Sequence, residues 1–157
     1  AMSIETGLAG RSVVVTCAAA GIGKATALRF AMEGAKVAAW DVADAAALAD
    51  ELKAAGAAEA FVATVNVADA ASVNAAVADV IAKWGRVDVL VNNAGIVRDA
   101  FFVNTDEDLW DFVLGVNLRG TLAVTELFAH WPKALANAKF VLEDDNGEID
   151  CTPLLDL

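Results

Sequence analysis

The residues with the clearest chemical use lie between Thr16 and Asp41. Thr16 to Gly23 read T-C-A-A-A-G-I-G, a turn of small residues between an apolar β-branched run and a helical stretch. Such a turn lets backbone N–H groups approach a pyrophosphate, and the helix dipole adds attraction for the negative charge. Gly21 and Gly23 would supply close approach and close helix–sheet packing, with Ile22 between them. About twenty residues further on stands Asp41, where a carboxylate can accept hydrogen bonds from an adenosine ribose and repel a 2′-phosphate. The plainer alternative is a tight packing turn that binds nothing, with Asp41 a solvated strand end.

A second group, Asn92-Asn93-Ala94-Gly95, follows another apolar run. Side-chain amides there can cap backbone groups at the edge of a sheet where ligands bind. A third lies near the C-terminus. Six acids and no base fall between Phe140 and Leu157. Asp144 to Asp150 match the middle of a calcium loop, but Leu142 and Pro153 fall on its first and last ligand positions, so that pattern fails. A looser divalent site, for zinc, manganese or magnesium, can be drawn from His130, Asp144, Asp145, Glu148, Asp150 and Cys151. It would activate water in a metal-dependent hydrolase. A solvated acidic face is the competing reading. Cys17, near a helix N-terminus, is either a thiol of lowered pKa or a buried, inert one.

Positioning these groups requires a regular scaffold, and the pattern supplies one. Short apolar runs at Ser12–Thr16, Lys36–Trp40, Glu59–Val65 and Val87–Val91 read as buried strands. Between them Ile22–Glu33, Asp44–Ala55 and Asp69–Trp84 read as helices, with Asp44 a candidate cap and Gly34 and Gly85 as stops. Thr105 and Asp108 predict a capping box for a long helix from Asp106 to about Trp131, ended by Pro132. This alternation means β-α-β units and a doubly wound, Rossmann-like α/β sheet. Lys139–Glu143 would be a fifth strand, giving order 3-2-1-4-5, and Asn146-Gly147 predicts a C-terminal hairpin. The chain reads as one domain, with residues 1–138 its dinucleotide-binding core and 139–157 an acidic tail.

Composition narrows the classes. The 157 residues are 58% hydrophobic with a net charge of −11, which fits a folded domain and disfavours nucleic-acid partners. No apolar run promises a membrane span, and no secretory signal precedes the first strand. Two cysteines predict a reducing, cytoplasmic setting. Ala1 ahead of Met2 reads as an addition.

Together these residues resemble the short-chain dehydrogenase/reductases. The resemblance rests on V-T-C-A-A-A-G-I-G-K-A-T-A, Asp41, N-V-A-D at Asn66–Asp69, N-N-A-G at Asn92–Gly95 and V-N-L-R-G-T at Val116–Thr121. N-N-A-G-I-V-R-D-A looks most like the branch that reduces 3-oxoacyl-carrier-protein or acetoacetyl-CoA. The resemblance implies NAD(P) binding, with Asp41 favouring NAD. It places Asn66 and Val67 beside the adenine and Asn93 and Gly95 along the cleft. It makes Asn117 equivalent to the catalytic asparagine that organises a proton-relay water.

The departures bear on activity. Cys17 stands where the family has its first glycine, and Asn66 where it has aspartate. Family catalysis uses a tyrosine, a lysine four residues later and a serine on the fifth strand, yet the sequence has no tyrosine. Relative to family domain size, about a hundred residues would follow. These points imply a dinucleotide-binding fold whose redox activity is weak or lost. A reading-frame change near codon 130 would account for the acidic ending and is tested by reading the encoding DNA in the other two frames. The other readings are the metal-dependent hydrolase and a non-catalytic assembling module. The long helix matches the one the family uses for subunit association. It predicts a homo-oligomer, a dimer first, with Trp131 a candidate interface anchor and exchanged tails a further expectation.

Overall fold

The computed structural model describes residues 5–129 and two short strands, Val141–Asp144 and Gly147–Asp150. Four strands, β1 (Ser12–Thr16), β2 (Lys36–Asp41), β3 (Glu59–Thr64) and β4 (Val89–Val91), form a parallel sheet in the order β3-β2-β1-β4. The first three crossovers are the helices α1 (Gly21–Met32), α2 (Ala46–Ala55) and α3 (Ala70–Trp84). This is the doubly wound arrangement predicted from the alternation.

The register shows why the strands read as unbroken apolar runs. β1 is flanked by β2 and β4, with Val13, Val14 and Val15 opposite Val37, Ala38 and Ala39 on one side and Val89, Leu90 and Val91 on the other. All five β1 residues are buried. Alternate side chains serve opposite faces of a strand. Val13, Val15, Val37 and Ala39 pack with Ala27, Ala31, Leu48 and Leu52. Val14, Ala38 and Trp40 pack with Val73, Val77, Val80, Val124 and Phe128. The alanines let helices lie close on the sheet; the larger area comes from Trp40, whose ring stacks on Phe128 with centroids 5.9 Å apart.

Helix ends follow local chemistry, with two corrections. Asp69 caps α3 by accepting from the Ala71 N–H, and Gly85, the stop read from the sequence, ends it in the left-handed conformation. Asp44 lies one residue ahead of the α2 cap, Ala45, and instead accepts from the Ala46 N–H at 3.1 Å. The long helix is capped by Asp106, not Thr105, through the Leu109 N–H at 2.8 Å. Nor is that helix uniform. It runs as α4 (Glu107–Leu114), a π-helical turn (Gly115–Gly120) and α5 (Thr121–Ala129). Against the expectation that no apolar run promises a membrane span, Glu107–Ala129 is long and apolar enough to cross one by length and composition alone. Val124 and Phe128 nevertheless pack on the sheet, as in a sheet-covering helix.

The expected fifth sheet strand is also corrected. Its residues form β5 (Val141–Asp144), which pairs antiparallel with β6 (Gly147–Asp150) in a separate two-stranded sheet. The hairpin predicted from Asn146-Gly147 is therefore present. Antiparallel pairing of two strands adjacent in sequence closes locally. His130, Trp131, Pro132 and Cys151 lie outside the described residues.

Candidate functional site

The site is assembled at the C-terminal edge of the sheet, where β1 and β2 end and α1 begins. Gly21 has φ +56°, a conformation glycine adopts without steric cost. Gly23 is required for a different reason. A Cβ there would stand 2.0 Å from the Cys17 carbonyl oxygen and 2.6 Å from Asn93 Nδ2. The cap residue of α1 is Ala20, which provides no side-chain hydrogen bond, and the first turn carries no acid. The helix therefore presents its N-terminal N–H groups uncapped by side chains, the arrangement that suits a phosphate. Ile22 projects outward and is 79% exposed.

Asp41 is the last residue of β2 and is almost wholly buried. One carboxylate oxygen accepts from the Ala19 N–H at 2.9 Å and the other from the Ala43 N–H at 3.0 Å. The Ala18 N–H donates to the Trp40 carbonyl at 3.1 Å. The small-residue turn is thus tied to the β2 end at two adjacent points, which brings Asp41 beside the turn as predicted.

Asn93 closes the other side. Its Nδ2 donates to the Thr16 carbonyl at 3.1 Å and to the Cys17 carbonyl at 3.2 Å. Thr16 Oγ1 accepts from the Asn93 and Ala94 N–H groups, each at 2.9 Å. Thr16 was not singled out from sequence; a hydroxyl at a buried strand end was the available signal. Asn117 lies in the π-helical turn, and its amide spans the Ile96 backbone. Oδ1 accepts from the Ile96 N–H at 2.8 Å and Nδ2 donates to the Ile96 carbonyl at 2.9 Å. A Cβ on Gly95 would lie 3.7 Å from Asn117 Oδ1, so these two predicted residues are neighbours. Asn92 Nδ2 reaches Thr125 Oγ1 at 2.9 Å.

Asn66 and Val67 stand in the β3–α3 connection. The Asn66 N–H donates to Ser72 Oγ and its Oδ1 accepts from the Ala68 N–H, both at 3.0 Å. Val67 is buried, and a Cβ on Gly120 would come within 2.9 Å of its Cγ2. The need for glycine at position 120 was another contact the sequence did not reveal.

Both readings of Cys17 are corrected. The residue is exposed, not buried. Its thiol is held above its ordinary pKa, not below it. Partial desolvation of the sulfur is the main cause, followed by the charge of Asp41 and a hydrogen bond to it.

Of the proposed metal ligands, His130, Asp145 and Cys151 lie outside the described residues. Among the described residues no cluster of three or more His, Cys, Asp or Glu side chains could hold an ion. His130 is outside them. In the hairpin, Asp144 pairs with Gly147 beside the turn, whereas Asp150 pairs with Val141 at the open end.

A doubly wound sheet with a glycine turn, a β2-terminal carboxylate and an asparagine-braced β4 loop defines a dinucleotide-binding class of protein. Comparison narrows the class. The short chain dehydrogenase profile matches residues 11–137, and the chain belongs to this family. It is 45% identical over 123 residues to the 3-oxoacyl-acyl-carrier-protein reductase FabG of Thermotoga maritima, covering 76% of this chain and 49% of that one. A short-chain dehydrogenase/reductase from Burkholderia phymatum, solved in complex with NAD, is 34% identical with a TM-score of 0.73. The match covers 78% of this chain and 44% of that one. A short chain dehydrogenase from Mycobacterium smegmatis is also 34% identical, with a TM-score of 0.74, covering 79% and 52%. The chain thus spans about half the length of the curated relatives it matches.

Proposed function

We propose that this chain is the nicotinamide-dinucleotide-holding part of a 3-oxoacyl thioester reductase, taking NAD in preference to NADP. The observation that carries the reading is the placement of Asp41 against the turn through the Ala19 N–H. The N–H groups around Gly21, Ile22 and Gly23 would hold the pyrophosphate, Asp41 the adenosine ribose, and Asn66 and Val67 the adenine side. Asn93 and Gly95 would line the cleft, and Asn117 would hold its floor in shape. When bound, the nicotinamide would supply or take a hydride.

The 157 residues contain no tyrosine to pass a proton to the carbonyl oxygen. We therefore assign this chain cofactor binding with weak or lost turnover. Calorimetric titration tests the first half: NAD⁺ should bind, NADP⁺ should bind at least tenfold more weakly, and Asp41→Ala should narrow that gap. Silence at millimolar NAD⁺ would reject the reading. Reduction of acetoacetyl-CoA at the rate of an intact reductase would reject the second half.

A homodimer belongs to the same proposal. Trp110, Phe112, Leu114, Leu118 and Leu122 are exposed along Glu107–Ala129 and would supply the apolar contact between two copies. Light scattering at micromolar concentration should give twice the chain mass; a monomer would reject it.

A further inference from the structure

The loops that follow β3 and β4 belong to the two edge strands of the main sheet, with β2 and β1 between them. Neighbouring strands stand about 4.8 Å apart, so about 14 Å separates the two strand ends. One helical segment touches both loops. On the β4 side, Asn117 holds the Ile96 backbone from the π-helical turn, and Thr125 Oγ1 accepts from Asn92 Nδ2 at 2.9 Å. On the β3 side the contact is Gly120, the last residue of the same turn. It is buried, and a Cβ there would stand 2.9 Å from Val67 Cγ2 and 3.1 Å from the Val67 carbonyl oxygen. The hydrogen bonds around Val67 are local: the Ala68 N–H donates to Asn66 Oδ1 and the Asp69 N–H to the Asn66 carbonyl, both at 3.0 Å. Such bonds fix the shape of a loop and not its place over the sheet. Its place depends on packing, and at Gly120 that packing leaves no room for one more carbon.

We propose that Gly120 is a positioning residue for dinucleotide binding: through Val67 it sets, together with Asn117, the spread of the two loops between which the adenosine half must fit. This inference rests on the NAD reading and adds to it a residue that touches no ligand. A methyl at position 120 meets a backbone carbonyl, which cannot yield as a flexible chain end can. The Val67 loop must move, and the adenine side of the cleft moves with it. The Gly21–Gly23 turn, tied to β2 and to Asn93, stays where it is.

Calorimetric titration of Gly120→Ala tests the assignment. NAD⁺ should bind about tenfold more weakly than to the parent, the scale of a modest overpacking strain. ADP-ribose, which lacks the nicotinamide, should lose the same factor. The number of sites per chain should stay at the parental value, because a merely structural role would lower the folded fraction and leave the affinity of the remainder intact. Val67→Ala removes the Cγ2 that the new methyl meets, so the double variant should lose less than the two single losses combined. Parental affinity in folded Gly120→Ala, a loss of sites alone, a loss that ADP-ribose escapes, or strictly additive losses in the double variant each overturn the proposal. Should Gly120→Ala not fold, amide exchange in the parent decides. Saturating NAD⁺ should slow residues 117–121 together with Ile96; exchange unchanged there while the Gly21–Gly23 turn slows overturns the proposal. A parent silent at millimolar NAD⁺ rejects the dinucleotide reading itself, and this inference with it. That result is distinct from a parent that binds and a Gly120→Ala that binds equally.

Discussion

Asn117 grips the backbone of Ile96 with both ends of its amide, at 2.8 and 2.9 Å. The π-helical turn carries this side chain, and the grip ties the helix to the loop that follows β4. Asn117 is thus a positioning residue before any proton is considered. Asn117→Ala leaves a donor and an acceptor of Ile96 without their partner. Urea denaturation should show a loss of about 1–3 kcal/mol, with weaker NAD⁺ binding in the variant that remains folded. Asn117→Asp keeps the acceptor alone and should lose less.

Gly23→Ala should be more damaging than its size suggests. The added methyl meets the Cys17 carbonyl, which is itself held by Asn93. Backbone cannot yield as a flexible side chain can. Thermal unfolding should show a loss of about 1–3 kcal/mol or more, and NAD⁺ titration should be blank. A variant with parental melting temperature and affinity would contradict the packing argument.

Asp88 predicts a pH dependence remote from the site. Partial burial works to raise its pKa. The N–H and hydroxyl of Ser12, at 2.9 and 3.0 Å, and the Arg86 guanidinium outweigh that and hold it below the usual carboxylate value. The folded state thus binds this proton less readily than the unfolded chain. The stabilisation is complete above the unfolded pKa of about 3.9 and is lost as pH falls through the folded value. Asp88→Asn should destabilise at neutral pH and flatten the stability profile over that acid range. Chemical denaturation at several pH values checks the sign.

The Trp40–Phe128 stack separates two kinds of burial. Both side chains are fully buried, and Trp40 Nε1 has no hydrogen-bond partner among the described residues. Phe128→Ala should cost about 3–5 kcal/mol through the cavity it leaves. Trp40→Phe loses volume but also removes an unpaired N–H, so its cost should fall well below that range. Equal losses for both variants would show that the indole N–H is immaterial.

Much of this arrangement is readable along the chain because it depends on neighbours in sequence. β1 through β4 follow from apolar runs whose faces are both covered, and α3 from its apolar face and a glycine stop. Gly21, Gly23 and Asp41 are legible because a phosphate turn and a strand-end carboxylate have characteristic spacing. The hairpin follows from Asn146-Gly147.

Other features depend on groups that meet across the fold. That Asp106 and not Thr105 caps the long helix, the π-helical turn that carries Asn117, and the exclusion of β5 from the main sheet were not available from local pattern. Nor was the state of Cys17. Helix-terminus proximity alone suggests a thiol easily ionised, yet desolvation in the packed turn, joined by the charge of Asp41 arriving from β2, holds its pKa up. Periodicity and turn chemistry act over a few residues, so the chain alone determined the elements and the type of cleft they frame. Hydrogen-bond partnership and desolvation depend on distances between segments far apart in sequence. Only the packed structure decided that Asp41 already holds two backbone N–H groups, those of Ala19 and Ala43, before any ligand arrives.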